Sequence, residues 1–383
     1  MTGKKKIVFL EYFPSLGGGQ SVLLRLIDKM RHKYDVSALI FKKGHIEKEL
    51  NRLKIKYSYI PSPKTVKFRH FFPMLMFQRK LITFLKTEKP NLIYANNFFS
   101  VKLSADAACF LRIPLIWHKH IIIDKAKNSY LARQIRHFSR LANKIICVSG
   151  AVKDSLSAIG VDEDRLIMVH NGMEIKPNRE KNHRNKIRKK HGFSSNFVAG
   201  TVGFLRGNKG FDILIKAAAL IKEKNRNIKF LITGSGEDND TKTEYELKKL
   251  ADDLDLRDTV VFAGYQDKDV YMPAFDAFVL PSPAEPFGLV TIEAMAKGLP
   301  VIAFNTGGTK EIIKNNYNGF LADKVNEALL AEKIMEVYKK RSKLAKIKRN
   351  AIKTVKEKFN LSKQTEKIGK IIDNTLGISY KSA

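Results

Sequence analysis

Short runs rich in β-branched and aromatic residues alternate with stretches of helical composition, first in one half of the chain and again in the other, and no other feature narrows the fold as much. In the first half Ile7 to Phe13, Val36 to Phe41, Leu92 to Ala95, Leu115 to Trp117 and Ile145 to Val148 read as strands, with helical patterns such as Ser21 to Arg31 and Leu103 to Leu111 between them. The second half offers Phe197 to Val202, Lys229 to Ile232, Val260 to Phe262, Ala277 to Leu280 and Val301 to Phe304. Strands separated by helices are joined by crossovers, which produce parallel sheets covered on both faces. A chain of 383 residues also exceeds one ordinary core. The expectation is an α/β protein of two Rossmann-like, doubly wound domains facing across a cleft. They take residues 1–175 and 176–360, and from Asn326 onward the chain is mostly helical and basic. Ligands of such sheets bind at the carboxyl ends of the strands.

Composition removes several classes. A hydrophobic fraction of 44% with 28% charged residues describes a globular chain rather than a disordered one. No apolar run approaches the ~20 residues that cross a bilayer. Lys4-Lys5-Lys6 followed by Ile7 to Leu10 imitates a signal peptide, but Glu11 ends the apolar stretch and no small-residue cleavage site follows, so the segment reads as a first buried strand. Cys109 and Cys147 stand in apolar surroundings without metal-ligand spacing, which predicts buried thiols in a reducing, cytoplasmic compartment.

Lys and Arg number 70 against 38 Asp and Glu, a net charge of +32 that attracts nucleic acid and anionic membrane alike. Between Pro63 and Lys86, Lys64, Lys67, Arg69, Arg79 and Lys80 mix with Phe68, Phe71, Phe72, Met74, Met76 and Phe77. Two readings stay open there: a basic, aromatic face that docks on the inner surface of the cell membrane, or aromatics that are simply core. Lys176 to His191, with eight Lys or Arg and one Glu, reads as an exposed linker and a solvated first helix.

The segment Glu285 to Val301 carries the chemistry. Pro286 biases Glu285 away from helix, Gly288 permits close backbone approach, and Leu289 to Lys297 has helical composition ended by Gly298 and Pro300. A loop therefore feeds a helix whose free N–H groups and positive dipole end suit a diphosphate. Glu293, one turn in, leans back toward the same spot, and a carboxylate there accepts bonds from ribose or hexose hydroxyls. Gly17, Gly18 and Gly19 follow the first strand and precede a helix, as phosphate-approach glycines do, without the spacing of a dinucleotide fingerprint. Asp267-Lys268-Asp269 imitates a metal-holding acidic triplet, but its place ahead of a helical run favours capping.

In order along the chain, Gly17-Gly18-Gly19-Gln20, Cys147-Val148-Ser149, His170-Asn171-Gly172, Lys209-Gly210-Phe211-Asp212, Pro281-Ser282, the two glutamates and Gly307-Gly308-Thr309-Lys310-Glu311 follow the motif order of one family. Over nearly its whole length the sequence resembles a family-four retaining glycosyltransferase of the GT-B fold, which implies that Leu361 to Leu376, within 361–383, is a closing helix that returns to the first domain. The resemblance implies sugar transfer from a UDP- or GDP-linked donor to a saccharide or lipid-linked acceptor, without cofactor or metal, in polysaccharide, lipopolysaccharide or cell-wall glycan synthesis. It implies Glu285 and Lys209 as catalytic; the family's arginine falls two residues before Arg206, at Phe204, and Arg206 is expected to supply the missing catalytic cation from the next part of the loop. It matches His120 to the family's histidine near the transferred sugar. His118 is its neighbour, expected on the opposite strand face. Donor contacts follow at Gly18, Gly19, Gly203, Gly234, Gly236, Phe287, Gly288, Leu289, Val290 and Glu293, with Asn171, Gly307, Gly308 and Glu311 as further candidates. Two other functions compete on the residues: a sugar-nucleotide epimerase of the same fold, which fits the paired glutamates poorly, and a basic nucleic-acid-binding protein, for which no recognised module appears.

Overall fold

The computed structural model describes residues 3–63, 71–123, 129–175, 181–236 and 241–377. The chain divides into two compact units, one of Met1–Gly172 with Leu361–Ala383 and the other of Met173–Asn360.

Unit 1 runs β1 (Lys6–Glu11), α1 (Gly18–Met30), β2 (Asp35–Ile40), α2 (His45–Arg52), β3 (Tyr57–Tyr59), α3 (Phe71–Glu88), β4 (Leu92–Ala95), α4 (Phe98–Phe110), β5 (Leu115–Lys119), α5 (Ser129–Ser139), β6 (Lys144–Cys147), α6 (Gly150–Ser157) and β7 (Leu166–Met168). Its seven strands order as β3-β2-β1-β4-β5-β6-β7, all parallel. Helices cover both faces, so the central strands are buried throughout and read as unbroken apolar runs.

Unit 2 runs α7 (Lys181–Lys190), β8 (Phe197–Val202), α8 (Phe211–Lys224), β9 (Ile228–Thr233), α9 (Thr241–Asp253), β10 (Val260–Phe262), α10 (Lys268–Tyr271), β11 (Ala277–Leu280), α11 (Leu289–Ala296), β12 (Val301–Phe304), α12 (Thr309–Ile312), β13 (Phe320–Ala322), α13 (Glu327–Lys339) and α14 (Ala345–Lys358). Its strand order is β10-β9-β8-β11-β12-β13, again parallel.

Each order reverses direction once, between β1 and β4 in unit 1 and between β8 and β11 in unit 2. At such a switch point the connections leave the sheet on opposite faces and open a crevice beyond the carboxyl ends. Any ligand chemistry is expected from the residues that follow those four strands.

The last helix, α15 (Leu361–Thr375), returns to unit 1. Ile368 and Ile372 bury completely in its core beside Ile27 and Met30 of α1. Asp373, 1% exposed, accepts from Tyr34 Oη at 2.8 Å and pairs with Lys33. Gln364 accepts from the Gly172 amide at 2.8 Å and donates to Asn171 Oδ1 at 3.2 Å. Asn171, a candidate site residue, is thus engaged in fastening this helix.

Three sequence expectations change. β3, β7 and β13 were not foreseen, because each is a three-residue edge strand too short to show a pattern. Cys109 is exposed on α4, and only Cys147 is a buried thiol. The helix of the basic run is solvated on one side only: Lys186, Lys189 and Lys190 are exposed, whereas Arg184 donates to the carbonyls of Pro273 and Phe275, Arg188 donates to Ala274 and Asn196, and both pair with Asp276. Residues 176–180 and 64–70, which carry the rest of the two basic segments, lie outside the described residues.

Candidate active site

In unit 2 the loop after β8 folds into a 3-10 turn, Gly207–Lys209, and the loop after β11 carries Glu285. Lys209 Nζ donates to Glu285 Oε2 at 2.8 Å, so the two switch-point loops are tied by a half-buried ion pair. The Glu285 backbone is held from the next strand end. Gly308 N donates to Glu285 O at 2.8 Å. A Cβ on Gly307 would lie 2.3 Å from that same oxygen, and one on Gly308 would lie 2.3 Å from Pro286 O. Only glycine admits this approach, so the role of Gly307 and Gly308 is to clamp the Glu285 loop by backbone contact.

Helix α11 starts behind this loop with Gly288 as its N-cap and Leu289 and Val290, both half-buried, in its first turn. Glu293 is 4% exposed on it. A carboxylate so buried needs a partner, and Lys268 of α10 donates to its Oε1 at 2.6 Å. Asp269 pairs with Lys297 at 2.9 Å, and Asp267 caps α10 by accepting from the Asp269 amide at 2.8 Å. The Asp267-Lys268-Asp269 triplet therefore caps α10 and holds Glu293, with Lys268 as its working member. Among the described residues no group of three or more His, Cys, Asp or Glu could hold a metal.

Two further loops complete this edge. Gly203 N bonds Thr233 O and Leu205 N bonds Ser235 O, both at 3.0 Å, so the Gly203 loop and the Gly234 to Gly236 loop run together. The Arg206 guanidinium lies over the Phe204 ring, 5.4 Å from its centroid. The aromatic at the resembled family's arginine position thus supports the cation supplied two residues later. Phe287 is 2% exposed with its ring against Phe359 at 5.7 Å, so its side chain belongs to the core and only its backbone is left for a ligand.

Unit 1 presents a polar cluster at its own switch point. Glu11, 2% exposed at the end of β1, accepts on Oε1 from Phe13 N and Asn97 Nδ2, each at 2.7 Å, and from Gln20 Nε2 at 3.3 Å. Its Oε2 accepts from Asn96 Nδ2 at 2.6 Å. Burial pushes the Glu11 carboxyl above its usual range, and hydrogen bonds from Asn96, the Phe13 amide and Gln20 oppose it. Asn96 Oδ1 in turn lies 2.9 Å from His120 Nε2. Gly19 opens α1 beside Gly18, and a Cβ there would stand 3.3 Å from the His120 ring. The Gln20 side chain accepts from Gly17 N at 3.1 Å, closing the helix start.

His118 shares the strand face of His120, their ring centroids 4.1 Å apart. The expected opposite facing is wrong, because residues two apart on a strand point the same way. His118 is fully buried with Nδ1 2.9 Å from Tyr94 Oη, a core position. Burial, then the Lys119 cation, depress His120 to about 3. Lys119 is itself pushed down to about 8 by burial.

The sequence reading therefore placed Lys209, Glu285, Gly307, Gly308, Arg206, Gly203 and Gly234 around one sheet edge and Gly18, Gly19 and His120 around the other. It missed Glu11, Asn96, Asn97 and Lys268. Glu11, Asn96 and Asn97 stand at the ends of β1 and β4, the two strands that flank the unit 1 switch point.

Comparison with known proteins fits this geometry. A family model for glycosyltransferase family 4 matches residues 16–176, and one for glycosyl transferases group 1 matches 183–354. An uncharacterized glycosyltransferase of Methanocaldococcus jannaschii is 27% identical over 402 residues, covering 98% of this chain and 100% of its own. An Escherichia coli enzyme named UDP-Gal:alpha-D-GlcNAc-diphosphoundecaprenol alpha-1,3-galactosyltransferase is 25% identical, covering 84% of each chain. The crystal structure of Anabaena HepE in complex with UDP and glucose superimposes with a TM-score of 0.86 at 25% identity, over 96% of this chain and 99% of that one. This chain belongs to the glycosyltransferases of group 1 and family 4, with the GT-B fold.

Proposed function

We propose that this glycosyltransferase moves a sugar from a UDP- or GDP-linked donor to a saccharide or lipid-linked acceptor. Transfer proceeds with retention of anomeric configuration and without a metal or cofactor, in the synthesis of a cell-surface polysaccharide, lipopolysaccharide or cell-wall glycan. The observation that carries this reading is the Lys209–Glu285 pair at the unit 2 switch point, on a loop clamped by Gly307 and Gly308 and leading into α11.

The chemistry follows from the residue types. Charge develops on the departing diphosphate, and donors fixed in advance lower the barrier most. Lys209 has three N–H bonds, so it can engage a phosphate oxygen while keeping Glu285 in place. Arg206, held over Phe204, and the free amides that open α11 add to the same charge. Glu285 and Glu293 accept sugar and ribose hydroxyls, each positioned by its lysine. The loops at Gly203, Gly234 and Gly236 give a backbone floor for the nucleotide. In unit 1, Gly18, Gly19 and His120 serve the acceptor and sugar hydroxyls. Retention is read through a front-face substitution in which the leaving phosphate takes the acceptor proton.

The nucleotide reading is supported by the UDP and glucose bound in the HepE structure, and the lipid-linked acceptor by the diphosphoundecaprenol acceptor in the name of the Escherichia coli enzyme. A panel of nucleotide sugars in a thermal-shift assay tests the donor, because a ligand bound only by the folded state raises apparent stability with its affinity. A panel with no member raising the Tm would refute it. The anomeric coupling constant of the product reports retention, and full activity in a chelator reports metal independence.

We also propose a cytoplasmic enzyme that docks peripherally on anionic membrane. On α3, Phe72 is 69% exposed, and Leu75 and Met76 are exposed beside Arg79 and Lys80, whereas Phe77 packs in the core against Phe41. Among the described residues no helix is long and apolar enough to cross a membrane.

A further inference from the structure

The orientation of every amide in the unit 1 cluster can be deduced from its partners. Asn97 Oδ1 accepts from the Ser100 amide at 2.9 Å as the N-cap of α4, so its Nδ2 is the group that meets Glu11. With Phe13 N, Gln20 Nε2 and Asn96 Nδ2 as further donors, Glu11 is an acceptor on both oxygens, as an ionised carboxylate is. Asn96 Nδ2 faces two groups that can only accept, Glu11 Oε2 at 2.6 Å and Gly19 O at 3.2 Å. Asn96 therefore turns its oxygen to His120, and the ring nitrogen 2.9 Å away must carry the hydrogen.

We propose that Glu11 and Asn96 are positioning residues that hold His120 as the Nε2–H tautomer, so that Nδ1 is a bare hydrogen-bond acceptor. Among the described residues nothing is bonded to Nδ1, and His120 is half-buried rather than sealed. Gly19 lets the ring lie against the first turn of α1, where no Cβ intervenes. Burial and the Lys119 cation keep the imidazole neutral at physiological pH. The ligand it suits is a hydroxyl, which donates to Nδ1, rather than an anion. The inference deepens the placing of His120 in the reaction and rests on that reading only for its effect on turnover.

The test uses the full-length protein labelled with nitrogen-15 histidine, with the His120→Gln spectrum assigning the signal. Long-range nitrogen–proton correlations should show a protonated Nε2 and a bare Nδ1. In Glu11→Gln the new amide oxygen is drawn to the three donors that now share Oε1, and its NH2 group is left facing Asn96. Asn96 then turns over and His120 shifts to the Nδ1–H form, with kcat falling about 10²-fold and donor KM little changed. The double variant Glu11→Gln/Asn96→Asp moves the charge to the end of the neighbouring strand. There the introduced amide donates to the introduced carboxylate, which accepts from His120 Nε2–H. Both the tautomer and most of kcat then return, an effect that a merely structural role would not produce.

A protonated Nδ1 in the wild type, or an unchanged tautomer in folded Glu11→Gln, overturns the proposal. Should Glu11→Gln fail to fold, Asn96→Ala decides. Loss of the fixed amide must give mixed tautomers, and a persisting single Nε2–H form overturns the proposal. A tautomer switch with unaltered kcat would uphold the relay and remove His120 from the chemistry.

Discussion

Substitution of Gly307 by alanine isolates the position of Glu285 from its chemical identity. Two costs are expected. Gly307 has φ +54°, and a side chain in that region costs about 1–2 kcal/mol. The added Cβ would also stand 2.3 Å from Glu285 O where ordinary contact begins at 3.4 Å, so the loop must retreat by about 1 Å, at about 1–3 kcal/mol. That movement carries Glu285 and strains the 2.8 Å bond to Lys209. A misplacement of about 1 Å at a reacting centre lowers turnover by about 10²-fold. Gly192→Ala is the matched control in the same unit, with φ +73° and nothing within 4 Å of the new Cβ. Chemical denaturation should find both variants weakened by about 1–2 kcal/mol and Gly307→Ala weakened further. Initial rates should fall in Gly307→Ala alone. A Gly307→Ala enzyme within about twofold of wild-type rate, or an equal loss in Gly192→Ala, would refute the account of the clamp.

Lys209→Met should lower kcat by about 10²-fold or more with a smaller change in donor affinity, measured by steady-state kinetics on the best nucleotide sugar. Lys268→Met takes the cation from a carboxylate only 5% exposed and should cost about 3 kcal/mol in urea unfolding, with a raised donor KM. The unfolded chain binds a proton on histidine near pH 6.5 while folded His120 stays neutral to about 3, so stability is lost as pH falls between those values. At pH 4.5 the His120 share is about 2–3 kcal/mol, and His120→Gln should flatten that part of a stability–pH curve, with His118, also depressed by burial, supplying the remainder. Anionic vesicles should sediment the protein and neutral ones should not. Phe72→Ser with Met76→Ser should weaken that binding, and indifference to lipid charge would end the docking model.

The parts that were legible in sequence are those where local chemistry and burial agree. Parallel strands buried on both faces read as short apolar runs, so β1, β4, β8, β11 and β12 announce themselves, whereas β3 and β7 are three-residue edge strands that are only partly buried, and β13, though buried, is as short. Gly307 and Gly308 are marked in the sequence by their place in the resembled motif, but their contact with the Glu285 loop is visible only in the fold. What composition hid is the partner of each buried charge. Arg184 and Arg188 read as solvated because a run of like charges is usually solvated; their counterion, Asp276, lies 92 and 88 residues away and meets them through the fold. Glu11 was hidden for the same reason, since its donors come from β1, α1 and the end of β4. A carboxylate that closes an apolar strand at a switch point has lost its water and must be repaid with hydrogen bonds from whatever the topology places beside it. The neighbouring strand across that switch point is then the place to look for the donors, and in this chain it ends in Asn96 and Asn97.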